Sequence, residues 1–212
     1  MNNHLTLSAL LLLFSIAAAP AQSTYSADTA RVHALLEASI SAEGDTVFAI
    51  LDEARELARQ AHYTEGEAKA WMYTGIEKEE IDDYPGAVKQ YLSALDLYAV
   101  LRDSLGIAKC YGNLGAAFHR QSDIRKAIAY WERARPLIGR YGQPAHLVMV
   151  LSNLVSAYSN NGMEKRALAL SDTAYDLAAR LSDTIVMANI MNNRGYIYEN
   201  LRQWDDALQN YK

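Results

Sequence analysis

Apolar residues recur at steps of three and four over long stretches of this chain, and short polar breaks separate the stretches. Tyr111, Leu114 and Phe118 have the spacing of one helix face. Polar residues 121–123 interrupt the pattern, and a second apolar face begins at Ala127. This arrangement predicts two antiparallel helices joined by a short turn, and therefore an all-α fold.

The same pattern returns at one fixed interval along the chain. Four independent ladders of small or polar residues keep a 40-residue step, with Val155 in the one missing glycine slot. The ladders are Ala87, Ala127, Ala167 and Ala207; Ala54, Ala94, Ala134 and Ala174; Gly75, Gly115 and Gly195; and Asn113, Asn153 and Asn193. Such spacing predicts tandem helix hairpins, each of which needs its neighbours because it buries too little apolar surface by itself.

The order of large, small and aromatic residues within one unit resembles the tetratricopeptide repeat (TPR). That order is Tyr111, Leu114, Gly115, Phe118, Ala127, Trp131 and Ala134. The resemblance implies a right-handed superhelical solenoid of antiparallel helix hairpins. We expect glycines and alanines to permit close helix crossings, and aromatics such as Tyr91 to fill the space between hairpins. The usual repeat has about 34 residues, so we expect the six extra residues to lengthen the second helix and the following link.

Four positions depart from the TPR pattern. Val155 stands where glycine is usual, and Ser171 replaces the large aromatic of the same unit. Arg194 replaces a usual leucine, and Lys78 stands where an aromatic is expected. The organisation predicted from the spacing has seven segments. They are a signal peptide at 1–21, a short linker at 22–27, a divergent partial repeat at 28–67, TPR units at 68–107, 108–147 and 148–187, and a truncated TPR unit at 188–212.

The N-terminus differs in composition from the repeats. The stretch from Leu5 to Ala19 is nearly all apolar, and no charged side chain precedes Asp28. This stretch is shorter than the roughly 20 residues that span a bilayer. Small residues at Ala19 and Ala21 suit signal peptidase, so we expect cleavage before Gln22 and export to the periplasmic or extracytoplasmic face of the membrane. The alternative is a leader that stays uncleaved as an anchor.

Composition argues against several function classes. The net charge of −5 and the pI near 5.5 disfavour nucleic-acid binding, which needs a basic face. The single cysteine, Cys110, is typical of a small core hydrophobe. The sequence contains no nucleotide-binding glycine loop, no nucleophile elbow and no paired metal-ligand spacing. We therefore expect no catalytic residue, no metal site and no cofactor in this chain, and no membrane contact by the repeats.

If the TPR resemblance holds, side chains of the first helices line a binding groove for a protein or peptide. The candidate residues are Asn113, Asn153, Asn193, Lys109, Arg120, Asn160, Asn189 and Tyr196. A carboxamide both donates and accepts hydrogen bonds, so an asparagine ladder can hold a peptide main chain. The alternative is that these asparagines bond neighbouring repeat helices. Lys109 and Arg120 could receive a carboxylate.

The resemblance implies an extracytoplasmic protein- or peptide-binding scaffold, such as the sensory region of a larger bacterial envelope signalling protein. By the 40-residue period, the last helix should continue beyond Lys212. We therefore expect a longer protein, in which a membrane anchor or output module follows. Two other functions stay open: a substrate-recruiting arm of a larger enzyme, for example with a protease or kinase module, and an envelope assembly factor.

Overall fold

The computed structural model describes residues 19–212, with side chains from residue 27 onward. Ten helices make up the described part of the chain. They are α1 (Ala19–Ile40), α2 (Asp45–Gln60), α3 (Thr64–Glu80), α4 (Tyr84–Leu101), α5 (Ser104–Arg120), α6 (Ile124–Tyr141), α7 (Pro144–Asn160), α8 (Glu164–Arg180), α9 (Thr184–Asn200) and α10 (Trp204–Tyr211). Residues 1–18, which hold most of the predicted leader, lie outside the described residues. Helix α1 includes residues 22–27, where the sequence suggested a short linker.

From α3 onward the helix starts keep a regular 20-residue step, at positions 64, 84, 104 and so on to 204. We refer to α3, α5, α7 and α9 as first helices, and to α4, α6, α8 and α10 as second helices. Each first helix has 17 residues. The second helices α4, α6 and α8 have 18, 18 and 17 residues. The six residues beyond the usual repeat of about 34 are therefore taken up by the first and second helices. The links after α3 stay short.

Most links between helices share one backbone geometry. In the α5–α6 link, Ser122 has a positive φ of 61°. The N–H of Ser122 donates to the carbonyl of His119, and the N–H of Asp123 donates to that of Phe118, each at 2.9 Å. This is a Schellman ending, which satisfies the last carbonyls of a helix. The Asp123 side chain then accepts from the N–H of Lys126 at 3.2 Å and so caps α6. One short link thus ends one helix and starts the next.

Positive φ recurs at 20-residue steps in the links. It is found at His62, Asp82, Arg102, Ser122, Gly162, Ser182 and Arg202. Two links of the described chain depart from this pattern. The α1–α2 link has its positive φ at Gly44, off the 20-residue step, and in the α6–α7 link Gly142 has an extended conformation with φ −94°. In that link Pro144 is the first residue of α7, where its fixed φ suits a helix start.

The described chain divides into two compact units, with the boundary between Thr74 and Gly75. In the first unit, α1 and α2 pack against each other. Its buried core draws from α1, α2 and the start of α3: Val32, Leu36, Val47, Leu51, Ala54, Ala58 and Ala70. Burial of these apolar side chains stabilises the unit.

In the second unit, consecutive helices from α4 to α10 pack against one another in chain order, and α7 also contacts α9. The larger core joins the α5–α6 hairpin to the α7–α8 hairpin through Trp131, Val150, Leu154 and Tyr158. A second core, which contains Ile190, joins α7, α8 and α9. Stacking in chain order is the arrangement expected of a repeat array, in which each hairpin buries its apolar faces against adjacent hairpins.

The three glycines of the 40-residue ladder, Gly75, Gly115 and Gly195, each face an aromatic ring of their own hairpin. A Cβ atom added to Gly75 would lie 2.5 Å from the Tyr91 ring, and one added to Gly195 would lie 2.4 Å from the Tyr211 ring. The expectation that aromatics such as Tyr91 fill the space between hairpins therefore needs refinement. These rings occupy the room left by a missing side chain within their own hairpin.

The α7–α8 hairpin reverses this arrangement of small and large residues. Val155 stands at the glycine position and Ser171 at the aromatic position, and both are fully buried. The hydroxyl of Ser171 donates to the carbonyl of Leu168 at 2.7 Å. Val155 and Ser171 thus stand at the positions that Gly115 and Trp131 occupy in the preceding hairpin. Here the larger side chain is on the first helix and the smaller one is on the second.

Arg194 stands where Leu114 and Leu154 stand in the preceding repeats. Its guanidinium Nη1 lies 3.1 Å from Oδ1 of Asp172 on α8. This ion pair gives the charged side chain a partner at a position that is usually apolar. Among residues 19–212, no helix combines the length and the apolar character that crossing a membrane requires.

Candidate functional site

A groove of about 460 Å³ lies between the first helices α5 and α7. It is lined by Ala116, His119, Arg120, Trp131 and Asn153, and we call it the α5–α7 groove. Helix α5 supplies three of these residues at steps of three and four, which places them on one helix face. Helix α7 supplies Asn153, and Trp131 comes from the second helix α6.

The Trp131 ring is held in place by two contacts. Its indole Nε1 donates to the carbonyl oxygen of Gly112 at 3.0 Å, and its ring centroid lies 5.6 Å from that of His119. The side chain is 2% exposed, so it forms the floor of the α5–α7 groove. The repeat pattern by itself predicts only a packing role for Trp131. The signal that could have placed it here is its constant 16-residue separation from Gly115, which matches that of Tyr91 from Gly75.

Two residues of the predicted binding set, Arg120 and Asn153, line the α5–α7 groove together. The other six lie on first helices but do not line this groove. They are Lys109 and Asn113 on α5, Asn160 on α7, and Asn189, Asn193 and Tyr196 on α9. Lys109, Asn160, Asn189 and Tyr196 are exposed to solvent, and Tyr196 is 48% exposed.

The ladder asparagines Asn113, Asn153 and Asn193 are half-buried. None of their carboxamides hydrogen-bonds to another residue in the part of the chain that the structure describes. Each therefore keeps donors and an acceptor available to a ligand or to water. Arg120 at the end of α5 is exposed, and it forms no ion pair with a described carboxylate. The groove thus offers an unpaired guanidinium beside an unpaired carboxamide.

The charge of Arg120 acts on one neighbouring acid at longer range. Burial raises the pKa of the Glu79 carboxyl, and the opposing effects of a hydrogen bond with Tyr91 and of the Arg120 charge are smaller. Oε1 of Glu79 is buried and has no partner among the described residues. Arg120 therefore remains available to a second carboxylate, because no acid in the described chain neutralises it through a direct contact.

On the first helices, the residue four positions after each ladder glycine is polar and contacts the aromatic ring of the same hairpin. Glu79 hydrogen-bonds Tyr91, and Glu199 hydrogen-bonds Tyr211. In the α7–α8 hairpin the equivalent residue is Ser159, whose buried hydroxyl has no partner among the described residues. The polar character of the first-helix ends therefore varies from one repeat to the next.

Two features of the described chain bear on catalysis: the Cys110 thiol and the distribution of metal-ligating side chains. Burial is the main cause that raises the pKa of the Cys110 thiol to about 12, so this thiol is a poor nucleophile at neutral pH. Across residues 27–212, no cluster of three or more His, Cys, Asp or Glu side chains could hold a metal ion. The arrangement at the α5–α7 groove is suited to binding through hydrogen bonds, charge and an aromatic floor.

No protein-family model matches the chain, and no curated protein matches its sequence. Solved structures do match. A putative kinesin light chain with nearly identical TPR-like repeats from Podosopora anserina aligns with a TM-score of 0.68 and 12% identity, over 88% of this chain and 92% of that one. BtubC (BKLC) from P. vanneervenii aligns with a TM-score of 0.70 and 18% identity, over 98% of this chain and 89% of that one.

A Rap protein, complexed with Competence and Sporulation Factor, also matches. Its TM-score is 0.62 at 13% identity, over 78% of this chain and 56% of that one. At such low identities the likeness shows the fold alone. The fold predicted from the sequence is confirmed: this chain is an all-α protein of TPR-like helix hairpins.

Proposed function

We propose that this chain is an extracytoplasmic scaffold that binds a protein or peptide in the α5–α7 groove, as the interaction region of a larger signalling protein. The proposal rests on one observation: Arg120 and Asn153 line the same groove, together with the indole of Trp131. Neither polar side chain has a described partner. Polar groups that are left unpaired at a surface cleft are available for recognition, since a ligand can satisfy them without breaking internal bonds.

Each groove residue has a distinct role in the proposed complex. Asn153 donates to a carbonyl and accepts from an N–H of an extended peptide segment, so it holds the main chain without selecting a side chain. Arg120 pairs with a carboxylate of the ligand, either an acidic side chain or a C-terminus. His119 supplies ring surface for an apolar side chain, and the buried Trp131 ring beneath it holds His119 in place. The Rap protein, which shares this fold, was solved in complex with a factor that it binds.

The test of groove binding starts from a displayed library of random peptides selected on the full chain. Affinities of the selected peptides are then measured by fluorescence anisotropy. We expect Asn153→Ala and Arg120→Gln each to weaken binding by about tenfold, the loss that follows from one hydrogen bond to a charged or polar group. Arg125→Gln and Asn200→Ala are matched controls, because both residues are exposed and neither lines the groove. Equal losses in the controls would argue against the groove.

The asparagine ladder needs a separate experiment, because it could bind a ligand or stabilise the stack. Asn113, Asn153 and Asn193 are replaced by alanine together. Since none of the three has a described partner, we expect helicity and melting temperature to change little while affinity falls. If the triple variant instead unfolds cooperatively while the protein that remains folded binds with unchanged affinity, the ladder stabilises the stack and does not bind the ligand.

Export is proposed from the sequence of residues 1–21. An alkaline phosphatase fusion to the C-terminus reports whether the chain leaves the cytoplasm, and N-terminal sequencing of the processed protein reports where the leader is cut. We expect an active fusion and a new N-terminus at Gln22. An inactive fusion would contradict export, and an intact Met1 in the exported protein would favour the anchor alternative.

A further inference from the structure

A second cleft, of about 340 Å³, opens between the second helices α6 and α8. We call it the α6–α8 cleft. Its lining includes Glu132, Arg135, Tyr158, Arg166, Leu170 and Thr173. None of these residues lines the α5–α7 groove, so the cleft is independent of the proposed peptide site. Two arginines and one glutamate leave it with an excess of positive charge.

Both oxygens of the one carboxylate in the α6–α8 cleft have internal partners. The Tyr158 hydroxyl donates to Oε1 of Glu132, and Nη2 of Arg135 lies 2.9 Å from Oε2. Burial and the Glu132 hydrogen bond raise the pKa of Tyr158 to about 12, so its hydroxyl stays protonated and keeps donating at neutral pH. Glu132 is therefore committed to Tyr158 and Arg135.

Arg166 in the same cleft has no such commitment. Its guanidinium carbon lies 5.0 Å from the centroid of the Tyr158 ring, and Tyr158 is 2% exposed. A rigid, buried ring therefore orients the guanidinium through a cation–π contact. The side chain makes no hydrogen bond or ion pair with another residue in the described part of the chain. Because the cation–π contact uses none of its N–H donors, the guanidinium keeps them available to a ligand.

We propose that the α6–α8 cleft binds a carboxylate side chain of a protein partner through Arg166. Aspartate and glutamate suit this geometry, because a planar guanidinium can donate two parallel hydrogen bonds to a carboxylate. The hydroxyl of Thr173 supplies one more donor at the rim, and Leu170 gives the ligand's methylene groups an apolar wall. The chain thus carries a second recognition site on its second helices, separate from the groove on its first helices.

The experiment uses a minimal probe, N-acetyl-glutamate N-methylamide, titrated into the full chain and followed by ¹⁵N–¹H NMR. The matched neutral probe is N-acetyl-glutamine N-methylamide. We expect shifts of the Ala169, Leu170 and Thr173 amides to saturate with a Kd of about 1–10 mM for the acid, as suits a single charged contact. The amide probe should leave these signals unchanged.

Two variants test the role of the guanidinium. Arg166→Gln removes the charge at an exposed position, and we expect binding to weaken by about tenfold or more. Arg140→Gln is the matched control, because Arg140 also lies over a tyrosine ring, at 5.2 Å from Tyr141, but it lines no part of the cleft. Glu132→Gln removes the competing internal charge, so it should tighten binding of the acidic probe.

Three results would overturn the proposal. The first is an equal response to the neutral probe, and the second is unchanged binding in Arg166→Gln. The third comes from a parallel titration with inorganic phosphate: tighter binding of phosphate at the same amides would show that the cleft prefers a phosphate to a carboxylate. Shifts confined to the α6–α8 cleft, sensitive to Arg166 and specific for the acid, support it.

Discussion

A Cβ atom placed on Gly115 would lie 2.4 Å from Cδ1 of Trp131. The indole of α6 thus occupies the volume that any side chain at this position of α5 would need. The 40-residue spacing marks this glycine in the sequence, and the structure gives the physical reason for it. Gly75 and Gly195 stand in the same relation to the tyrosines of their own hairpins.

We predict that Gly115→Ala lowers the free energy of unfolding by about 1–3 kcal/mol, because the indole must move out of a well-packed site. Gly112→Ala is the control in the same helix, since a Cβ at that position meets nothing within 4 Å. Alanine favours the helix over glycine, so this control should gain about 0.5–1 kcal/mol. Urea unfolding followed by circular dichroism measures both. Equal effects of the two substitutions would contradict the packing relation.

The reversed pair Val155 and Ser171 predicts energetic coupling. Ser171→Tyr introduces an aromatic into a fully buried site while the valine still fills the opposite position, so we expect it to destabilise. Adding Val155→Gly should recover part of the loss by restoring the small–large arrangement of the other hairpins. A double-mutant cycle should give a coupling energy of about 0.5–3 kcal/mol. Additive effects would show that the two positions do not share volume.

The sequence predicted the helices well and their links poorly. Helix positions follow from local periodicity, which a single chain displays directly. The links depend on positive-φ residues such as Arg102 and Ser122, whose side chains do not mark them for that conformation. One signal was present, however: aspartates stand at four of the helix caps, in register with the 20-residue step of the links. They are Asp83, Asp103, Asp123 and Asp183.

The site was harder to predict than the fold for a related reason. Asn153 and Arg120 could be placed on first helices from the repeat spacing alone. Their meeting over Trp131 depends on the distance between two hairpins, which is set by core contacts between residues far apart in sequence. The α6–α8 cleft depends likewise on Tyr158 of the intervening helix, and no periodic signal in the sequence pointed to it.

The links give a third prediction. Gly162 has a φ of 71° in the α7–α8 link, a region in which L-residues with a Cβ are disfavoured. Gly162→Ala should therefore lower the free energy of unfolding by about 1 kcal/mol. Gly139→Ala in α6 is the control, because its Cβ would make only an ordinary contact of 3.9 Å with Leu147. An unchanged stability of the Gly162 variant would contradict the link geometry.

The cap of α6 gives a pH-dependent prediction. The Lys126 side chain, and then the Lys126 backbone N–H, hold the pKa of the Asp123 carboxyl below its usual value. A lowered folded-state pKa means that this contribution to stability is fully present above the unfolded pKa of about 3.9, and is lost as pH falls through the folded value. Asp123→Asn keeps a capping side chain that does not titrate.

Urea unfolding of the wild type and Asp123→Asn across pH 2–7 measures this effect. The difference in stability between the two proteins should stay constant from neutral pH down to about pH 5, then shrink on further acidification. A difference that grows as pH falls would contradict the assigned cap, because it would mean that the neutral carboxyl is the favoured form in the folded chain.

The proposed function requires that a ligand segment lie in the α5–α7 groove. The most direct measurement is a crystal structure of the full chain with a peptide selected from the displayed library. We expect the peptide to contact Ala116, to hydrogen-bond through its main chain to Asn153, and to place a carboxylate on Arg120. A peptide bound elsewhere, with the groove empty, would contradict the claim.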